Sequence, residues 1–346
     1  MFDFHVMRGP DIRALIAESR PGVVDTVRRT YLAHHAGETI NPNSYFLRFP
    51  DHPSARIIAL PAALTAAPAV AGIKWIGSFP VNVRRNVPRA SALLILNDME
   101  TGYPYACLEA AQISAARTAA SAVLAAERLH GSRQAEKIAV VGAGVISRNV
   151  LEFLHDLGWR IGEVAVHDLD PPSADRAAGF ASSLDFPGRV AGSLAAAVQG
   201  AGVVVLATTA AVPYLHDENT FEPGQTVLNL SLRDIGPEII LAANNILDDV
   251  DHCLTAGTSP HLAEQKFGHR HFIDGTIGDL LLGDLPLDER KPRIFSPFGL
   301  GVLDLAVGRE VLNAGRTSGR VLAVPNFFAE TARWDHDTVH TTSQGD

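Results

Sequence analysis

The apolar positions of the N-terminal third follow helical spacing in two segments and then change character. Residues 11–16 and 23–32 carry apolar side chains three and four positions apart, on either side of Pro21 and Gly22, which predicts two surface helices. The alanine-rich stretch from Ala106 to Arg128 contains no Pro or Gly, and its composition predicts a third, longer helix.

Between these helices the pattern alternates, as expected for strands. Residues 44–60 are β-branched, aromatic and alternating, and similar runs follow at 71–76 and 92–96. A turn is predicted at 98–102. The runs predict an antiparallel or mixed sheet, so the first part of the chain is expected to be an α+β unit.

The second half repeats a different unit, in which short continuous apolar runs alternate with helical segments. Apolar runs begin at Lys137, Ala201 and Thr226, and such runs are typical of parallel strands that helices cover on both faces. Strand and helix signals continue to about residue 295. Residues 301–312 have apolar positions at helical spacing, which predicts a helix that returns to the first unit. The prediction is an α/β protein with a doubly wound parallel sheet.

The turn after the first of these strands has the features of a dinucleotide site. Gly142 allows a tight turn, Gly144 allows close approach of a pyrophosphate to a helix N-terminus, and Ser147 keeps the third position small. Asp168 lies 24 residues after Gly144, where a carboxylate accepts the ribose hydroxyls and repels a 2′-phosphate. No Arg or Lys follows it directly, so NAD is expected rather than NADP. The expected cofactor contacts also include Ala143, Val145, Ile146, Thr208, Thr209 and Ser231.

The late position of this turn predicts two domains. Residues 1–127 with 308–346 are expected to form one domain, and residues 128–307 are expected to form the Rossmann-type NAD-binding domain. The last residues, 335–346, are polar and expected to fray.

Charge and composition exclude several classes of function. The net charge is −9 without a basic block, which argues against a nucleic-acid surface, and Arg84, Arg85 and Arg89 are expected to form a solvated or substrate-facing patch. The two cysteines and the pair His269 and His271 lack the spacing of a metal site, so no metal is expected. No leader or membrane-length apolar run is present, and the expected location is the cytoplasm.

Cations occupy positions where apolar neighbours are expected. Arg48, Arg56 and Lys74 lie in predicted strands, and Arg117 lies in the alanine-rich helix. A half-buried cation requires a carboxylate or a ligand, because its desolvation is otherwise unfavourable. Each could extend to solvent or pair with a surface acid. The four together indicate a site for an anionic small molecule.

Several segments resemble one known family over nearly the whole chain. Glu100-Thr-Gly-Tyr-Pro104, Ile113-Ser-Ala-Ala-Arg-Thr-Ala-Ala120 and the late glycine turn are similar to the ornithine cyclodeaminase and μ-crystallin family. The resemblance implies a homodimer in which a substrate-binding and dimerisation domain accompanies a Rossmann domain. It also implies that Lys74 and Arg117 hold the α-carboxylate of an amino-acid substrate, and that Asp234 and Lys74 are catalytic.

Within that family, four segments resemble the dehydrogenases that form 2,3-diaminopropionate: residues 44–51, 54–61, 72–80 and 231–235. This resemblance implies NAD-dependent oxidation of N-(2-amino-2-carboxyethyl)-L-glutamate at Cα, followed by hydrolysis of the imine to 2-oxoglutarate and L-2,3-diaminopropionate. Cyclodeaminases tend to have a glycine pair where this chain has Leu232 and Arg233. Arg48, Arg56 and Arg233 are then candidates for the remaining carboxylates.

Asp234 follows the apolar run that begins at Thr226, and the carboxyl end of such a strand opens at the ligand crevice. A carboxylate there can accept a substrate proton or activate water. A helix N-cap is the structural alternative, because Pro237 and Glu238 follow. The functional alternatives are an ornithine cyclodeaminase, an alanine dehydrogenase or ketimine reductase, and a crystallin-like protein that binds a ligand without turnover.

Overall fold

The computed structural model describes residues 3–283 and 285–329, which contain two eight-stranded sheets. The predicted polar tail, residues 335–346, lies outside the described residues. Both sheets and their helices confirm the expected α/β architecture with a doubly wound parallel sheet.

The first sheet is mixed, as the alternating runs predict. Its strand order is β16-β1-β7-β6-β5-β4-β2, with β3 paired to β4, and only the β1–β7 pair is parallel among the described pairs of this sheet. The strands are β1 (Phe4–Met7), β2 (Thr39–Ile40), β3 (Tyr45–Phe49), β4 (His52–Leu64), β5 (Val70–Ser78), β6 (Ala90–Asn97), β7 (Pro104–Glu109) and β16 (Leu322–Val324).

Four helices accompany this sheet: α1 (Gly9–Glu18), α2 (Arg20–His35), α3 (Ala111–His130) and α11 (Gly301–Thr317). The predicted start of α3 at Ala106 is wrong, because residues 106–109 belong to β7, where Ala106 and Leu108 are fully buried. The Glu109 carboxylate accepts a hydrogen bond from Ala111 N at 2.8 Å, which satisfies a free donor in the first turn of α3.

The second sheet is entirely parallel, in the order β10-β9-β8-β11-β12-β15-β13-β14. Its strands are β8 (Gln134–Val141), β9 (Arg160–His167), β10 (Gly188–Val190), β11 (Val203–Leu206), β12 (Thr226–Asn229), β13 (Asn244–Leu247), β14 (Ile273–Thr276) and β15 (Arg293–Ser296). The connecting helices are α4 (Val145–Asp156), α5 (Pro171–Ser183), α6 (Leu194–Val198), α7 (Pro237–Ala242), α8 (Val250–Cys253), α9 (Ser259–Phe267) and α10 (Ile277–Leu282).

The strand order reverses between β8 and β11, and ligands bind at such a switch point. Because all strands of this sheet are parallel, the residues that follow β8, β9, β11, β12 and β15 meet at one edge. Two long helices connect this edge to the first sheet: α3 packs against β12 and β15, and α11 packs across β4, β5 and β6. Both helices run through the predicted domain boundaries, and the division into domains stays a prediction.

Within the described residues, no helix has the length and apolar content needed to cross a bilayer. The same residues contain no group of three or more His, Cys, Asp or Glu side chains placed to hold a metal ion. His269 and His271 lie in the loop between α9 and β14.

Candidate active site

The glycine turn after β8 fits a dinucleotide. Gly142 has φ +92°, and a Cβ there would lie 2.7 Å from the Ala207 carbonyl oxygen, so only glycine allows this close approach of β8 and β11. Gly144 precedes the first turn of α4, and a Cβ at this position meets no atom within 4 Å. The open space therefore lies where helix N–H groups attract a phosphate. Ser147 is buried, and its hydroxyl donates to the Gly142 carbonyl.

Asp168 lies next to this turn, directly after β9. Its Oδ2 accepts a hydrogen bond from Ala143 N at 2.7 Å, and its Oδ1 accepts one from Asp170 N at 2.8 Å. Each carboxylate oxygen keeps a lone pair for a ribose hydroxyl. Val145 and Ile146 form the first turn of α4, with Val145 exposed. The residues present fit the adenosine and pyrophosphate parts of NAD.

We expect Asp168→Ala to weaken NAD binding by about tenfold or more, because a hydrogen bond to a charged group contributes roughly 1.5–3 kcal/mol. The dissociation constant of NADH, measured by fluorescence titration, checks this. Asp175→Asn, an exposed acid on α5, is the matched control. Replacing Asp168 with Ser and Leu169 with Arg should admit NADP, and a wild-type preference for NADP of tenfold or more would contradict this role of Asp168.

Lys74 and Arg117 meet at one buried carboxylate. Lys74 Nζ lies 2.6 Å from Asp304 Oδ2 and 3.2 Å from Ser114 Oγ, and Arg117 Nε lies 3.4 Å from Asp304 Oδ1. Asp304 is 0% exposed and Lys74 is 2% exposed. Burial lowers the pKa of Lys74 to about 8, although Asp304 opposes the shift. Below that pH the three side chains carry one net positive charge, which suits a single carboxylate.

The loop after β15 positions this group, which we call the carboxylate clamp (Lys74, Arg117 and Asp304). Gly299 has φ +94°, and a Cβ there would lie 2.4 Å from Arg117 Nη1. Asp248 Oδ1 accepts from Phe298 N at 2.9 Å, and its Oδ2 accepts from Gly299 N at 2.7 Å. The buried Asp248 therefore holds the loop against the guanidinium of Arg117.

Asp234 follows β12 and is fully buried. Its Oδ1 accepts a hydrogen bond from Thr208 Oγ1 at 2.6 Å, and its Oδ2 accepts one from Tyr214 OH at 3.0 Å. Burial and the charge of Asp234 raise the pKa of Tyr214, so its hydroxyl stays a donor. The N-cap of α7 is Gly236, so the alternative role of Asp234 as the cap does not hold.

A second group of cations, which we call the arginine cluster, consists of Arg48, Arg56, Arg89 and Arg233. Arg48 and Arg56 lie opposite each other on β3 and β4, and Arg233 precedes Asp234. Burial, and then the charges of Arg89, Arg233 and Arg48, lower the pKa of Arg56. Within the described residues, none of the four forms an ion pair with an Asp or Glu. The cluster therefore carries positive charge without an acidic partner among the described residues, and its member Arg233, which precedes Asp234, donates to the Ala256 carbonyl at 3.0 Å.

The remaining predicted residues contribute less directly. Thr209 is exposed, and Ser231 is buried and donates to the Leu206 carbonyl at 3.3 Å. Arg48, which was expected to be half-buried, is exposed and lies over the Phe46 ring. Sequence reasoning missed Asp304 and Tyr214. Asp304 had a signal, since it is the single charged residue in the apolar segment 301–308. Tyr214 had none, because nothing in the loop after β11 indicates contact with Asp234.

Comparisons with known proteins show which family this chain resembles. Residues 17–318 match the ornithine cyclodeaminase/mu-crystallin family. The chain is 30% identical over 296 residues to the N-((2S)-2-amino-2-carboxyethyl)-L-glutamate dehydrogenase of Staphylococcus aureus, covering 82% of this chain and 87% of the relative. It is 28% identical to the NAD(P)H-dependent anabolic L-arginine dehydrogenase of Pseudomonas aeruginosa, covering 84% and 91%.

Among solved structures, an archaeal alanine dehydrogenase dimer with bound NAD superposes with a TM-score of 0.84 at 24% identity, over 94% of this chain and 100% of that one. The similarity extends through both sheets and the helices between them. The family match covers the glycine turn, Lys74, Arg117, Asp234 and Asp304. The chain therefore belongs to the ornithine cyclodeaminase/mu-crystallin family.

Proposed function

We propose that this NAD-dependent oxidoreductase cleaves N-(2-amino-2-carboxyethyl)-L-glutamate to 2-oxoglutarate and L-2,3-diaminopropionate. As a member of its family, the chain acts on a CH–NH group of an amino acid. The relative at 30% identity is named for this substrate. The observation that carries the proposal is the arginine cluster, which includes the neighbour of Asp234 in the chain and has no acidic partners among the described residues.

Charge balance favours a substrate with several carboxylates. The carboxylate clamp matches one carboxylate, and the arginine cluster requires further negative charge, since closely spaced like charges are unfavourable. N-(2-amino-2-carboxyethyl)-L-glutamate has three carboxylates. Ornithine has one carboxylate and a distal ammonium, which the arginine cluster would repel. The same argument disfavours alanine, which leaves the arginine cluster uncompensated.

In the proposed reaction, the carboxylate clamp holds the α-carboxylate of the glutamyl group and so fixes its Cα. NAD, held by the glycine turn and Asp168, supplies the hydride acceptor. Asp234 accepts the proton of the secondary ammonium, which frees the nitrogen lone pair for imine formation. After this proton has passed to solvent, the same carboxylate accepts a proton from the water that attacks the imine carbon and returns it to the departing amine nitrogen. Substrate, NAD⁺ and water give 2-oxoglutarate, 2,3-diaminopropionate, NADH and a proton.

A homodimer is part of this proposal. Tyr45, Trp75 and Leu93 lie on the face of the first sheet opposite Lys74, and all three are exposed. Exposed apolar side chains that form a continuous stripe across neighbouring strands indicate a protein interface. The match to an alanine dehydrogenase of the same fold that forms a dimer supports this assignment.

We expect one NADH to accumulate for each 2-oxoglutarate released when the enzyme is mixed with NAD and N-(2-amino-2-carboxyethyl)-L-glutamate. Absorbance at the NADH band and enzymatic assay of 2-oxoglutarate check the ratio. Ornithine and alanine are expected to give little NADH. Proline formed from ornithine without net NADH would contradict the proposal in favour of a cyclodeaminase. Binding of the substrate without turnover would favour a crystallin-like role.

A further inference from the structure

Ser78 and Arg89 lie beyond the carboxylate clamp, on the face of the first sheet that carries Lys74. Lys74 and Ser78 are four residues apart on β5, so both side chains lie on one face, roughly 13 Å apart along the strand. Arg56 on β4 lies directly opposite Ser78, and Leu60 lies opposite Lys74. One sheet face therefore carries cations at two separate positions.

Arg89 is held at the second position. Its Nη1 donates to Ser78 Oγ at 2.9 Å, and its carbonyl accepts from Phe79 N at 2.8 Å. Ser78 is 5% exposed and Arg89 is half-buried, whereas Arg84 and Arg85 of the same connection are exposed. Burial lowers the pKa of Arg89. A fixed, partly desolvated guanidinium without an acidic partner among the described residues is typical of an anion-binding group.

Arg56 has the same unbalanced environment. Its Nε is buried without a hydrogen-bond partner in the described structure. The positive charges of Arg89, Arg233 and Arg48 all act on it, and no acidic group in the described part of the chain offsets them. A carboxylate between Arg56 and Arg89 would supply both the missing acceptor and the missing negative charge.

We propose that Arg56 and Arg89, with Ser78 placing Arg89, form a subsite that selects a side-chain carboxylate of the substrate. This inference rests on the proposed function in one respect, namely that the substrate is an amino acid with more than one carboxylate. The clamp then recognises the α-carboxylate that every amino acid has, and the second subsite discriminates between substrates. Arg89 is the specificity-determining residue, because it is the member of the pair that a buried side chain fixes in place.

The test compares two ligands of equal chain length, 2-oxoglutarate and 2-oxopentanoate, which differ in the distal carboxylate. Each is titrated into the full-length protein with bound NADH, and the NADH fluorescence reports binding. We expect wild type to bind 2-oxoglutarate at least about tenfold more tightly, the range of one charged hydrogen bond. Arg89→Ala should remove this preference and change the dissociation constant of 2-oxopentanoate by less than about threefold.

Three variants separate recognition from structure. Arg84→Ala, an exposed arginine of the same connection, should leave the preference unchanged. Lys74→Ala should weaken the binding of both ligands by the same factor. Arg89→Gln keeps a hydrogen-bond donor for Ser78 but removes the positive charge, and it replaces Arg89→Ala in the test if that variant does not fold. The inference would be overturned if a folded Arg89 variant bound both ligands more weakly than wild type by the same factor. It would also be overturned if wild type did not prefer 2-oxoglutarate over 2-oxopentanoate. A preserved preference in wild type without cleavage of the proposed substrate would instead contradict the proposed function and leave the subsite in place.

Discussion

Replacing Asp234 with Asn is expected to lower kcat by two or more powers of ten. The carboxylate is the proposed base for the substrate ammonium and for water, and loss of an acid–base group typically costs 10²–10⁴-fold in rate. Asn keeps the volume of Asp and can still bond to the hydroxyls of Thr208 and Tyr214, which now donate to the carboxylate. The fold and the NAD site should therefore be preserved.

Steady-state NADH formation measures the effect, with NADH titration and a melting curve as controls for the cofactor site and the fold. Asp217→Asn is the matched control, since this exposed acid precedes a 3-10 helix in the same region of the second sheet. A kcat within threefold of wild type in Asp234→Asn would mean that another group moves the proton, and the proposed mechanism would be wrong.

Removal of either cation from the carboxylate clamp is expected to lower catalytic efficiency almost as much as the Asp234→Asn substitution lowers kcat. Lys74→Ala and Arg117→Ala should each lower kcat/KM by roughly 30-fold to several thousand-fold, because loss of one partner of a buried charge pair costs about 2–5 kcal/mol. NADH affinity should change little in Lys74→Ala, since Lys74 lies on the first sheet and the glycine turn lies on the second. Arg85→Ala, an exposed arginine, is the control. Parallel losses of cofactor and substrate binding would indicate a structural role for the clamp.

The clamp also predicts a pH dependence with a defined sign. The pKa of Lys74 is about 8 before substrate binds, and a carboxylate binds to the charged lysine. The substrate should therefore bind with its full affinity below pH 8, and this affinity should fall as pH rises through and above that value. Lys74→Arg keeps its charge at these pH values, so this fall should be absent in that variant. An unchanged fall would assign it to another group.

The prediction of α3 failed at its start for a physical reason. Ala106 and Leu108 have good helix propensity, yet they lie in β7 between β1 and β6, where their side chains fill the core. Burial in a central strand outweighs a weak local preference. The strands β1 and β16 were not predicted, because each is short and is stabilised by pairing with a distant segment.

The glycine turn, the helix N-terminus after Gly144 and the position of Asp168 follow from sequence, because this unit is contiguous and its chemistry depends on local backbone conformation. The sequence also indicated that Lys74 and Arg117 lie in apolar surroundings, whereas the same expectation for Arg48 is wrong, because Arg48 is exposed. Their partners depended on tertiary structure: Asp304 meets Lys74 from 230 positions away, and Tyr214 reaches Asp234 from the next strand connection. Local pattern encodes conformation and burial, whereas the pairing of distant side chains depends on how the two sheets and the helices α3 and α11 pack.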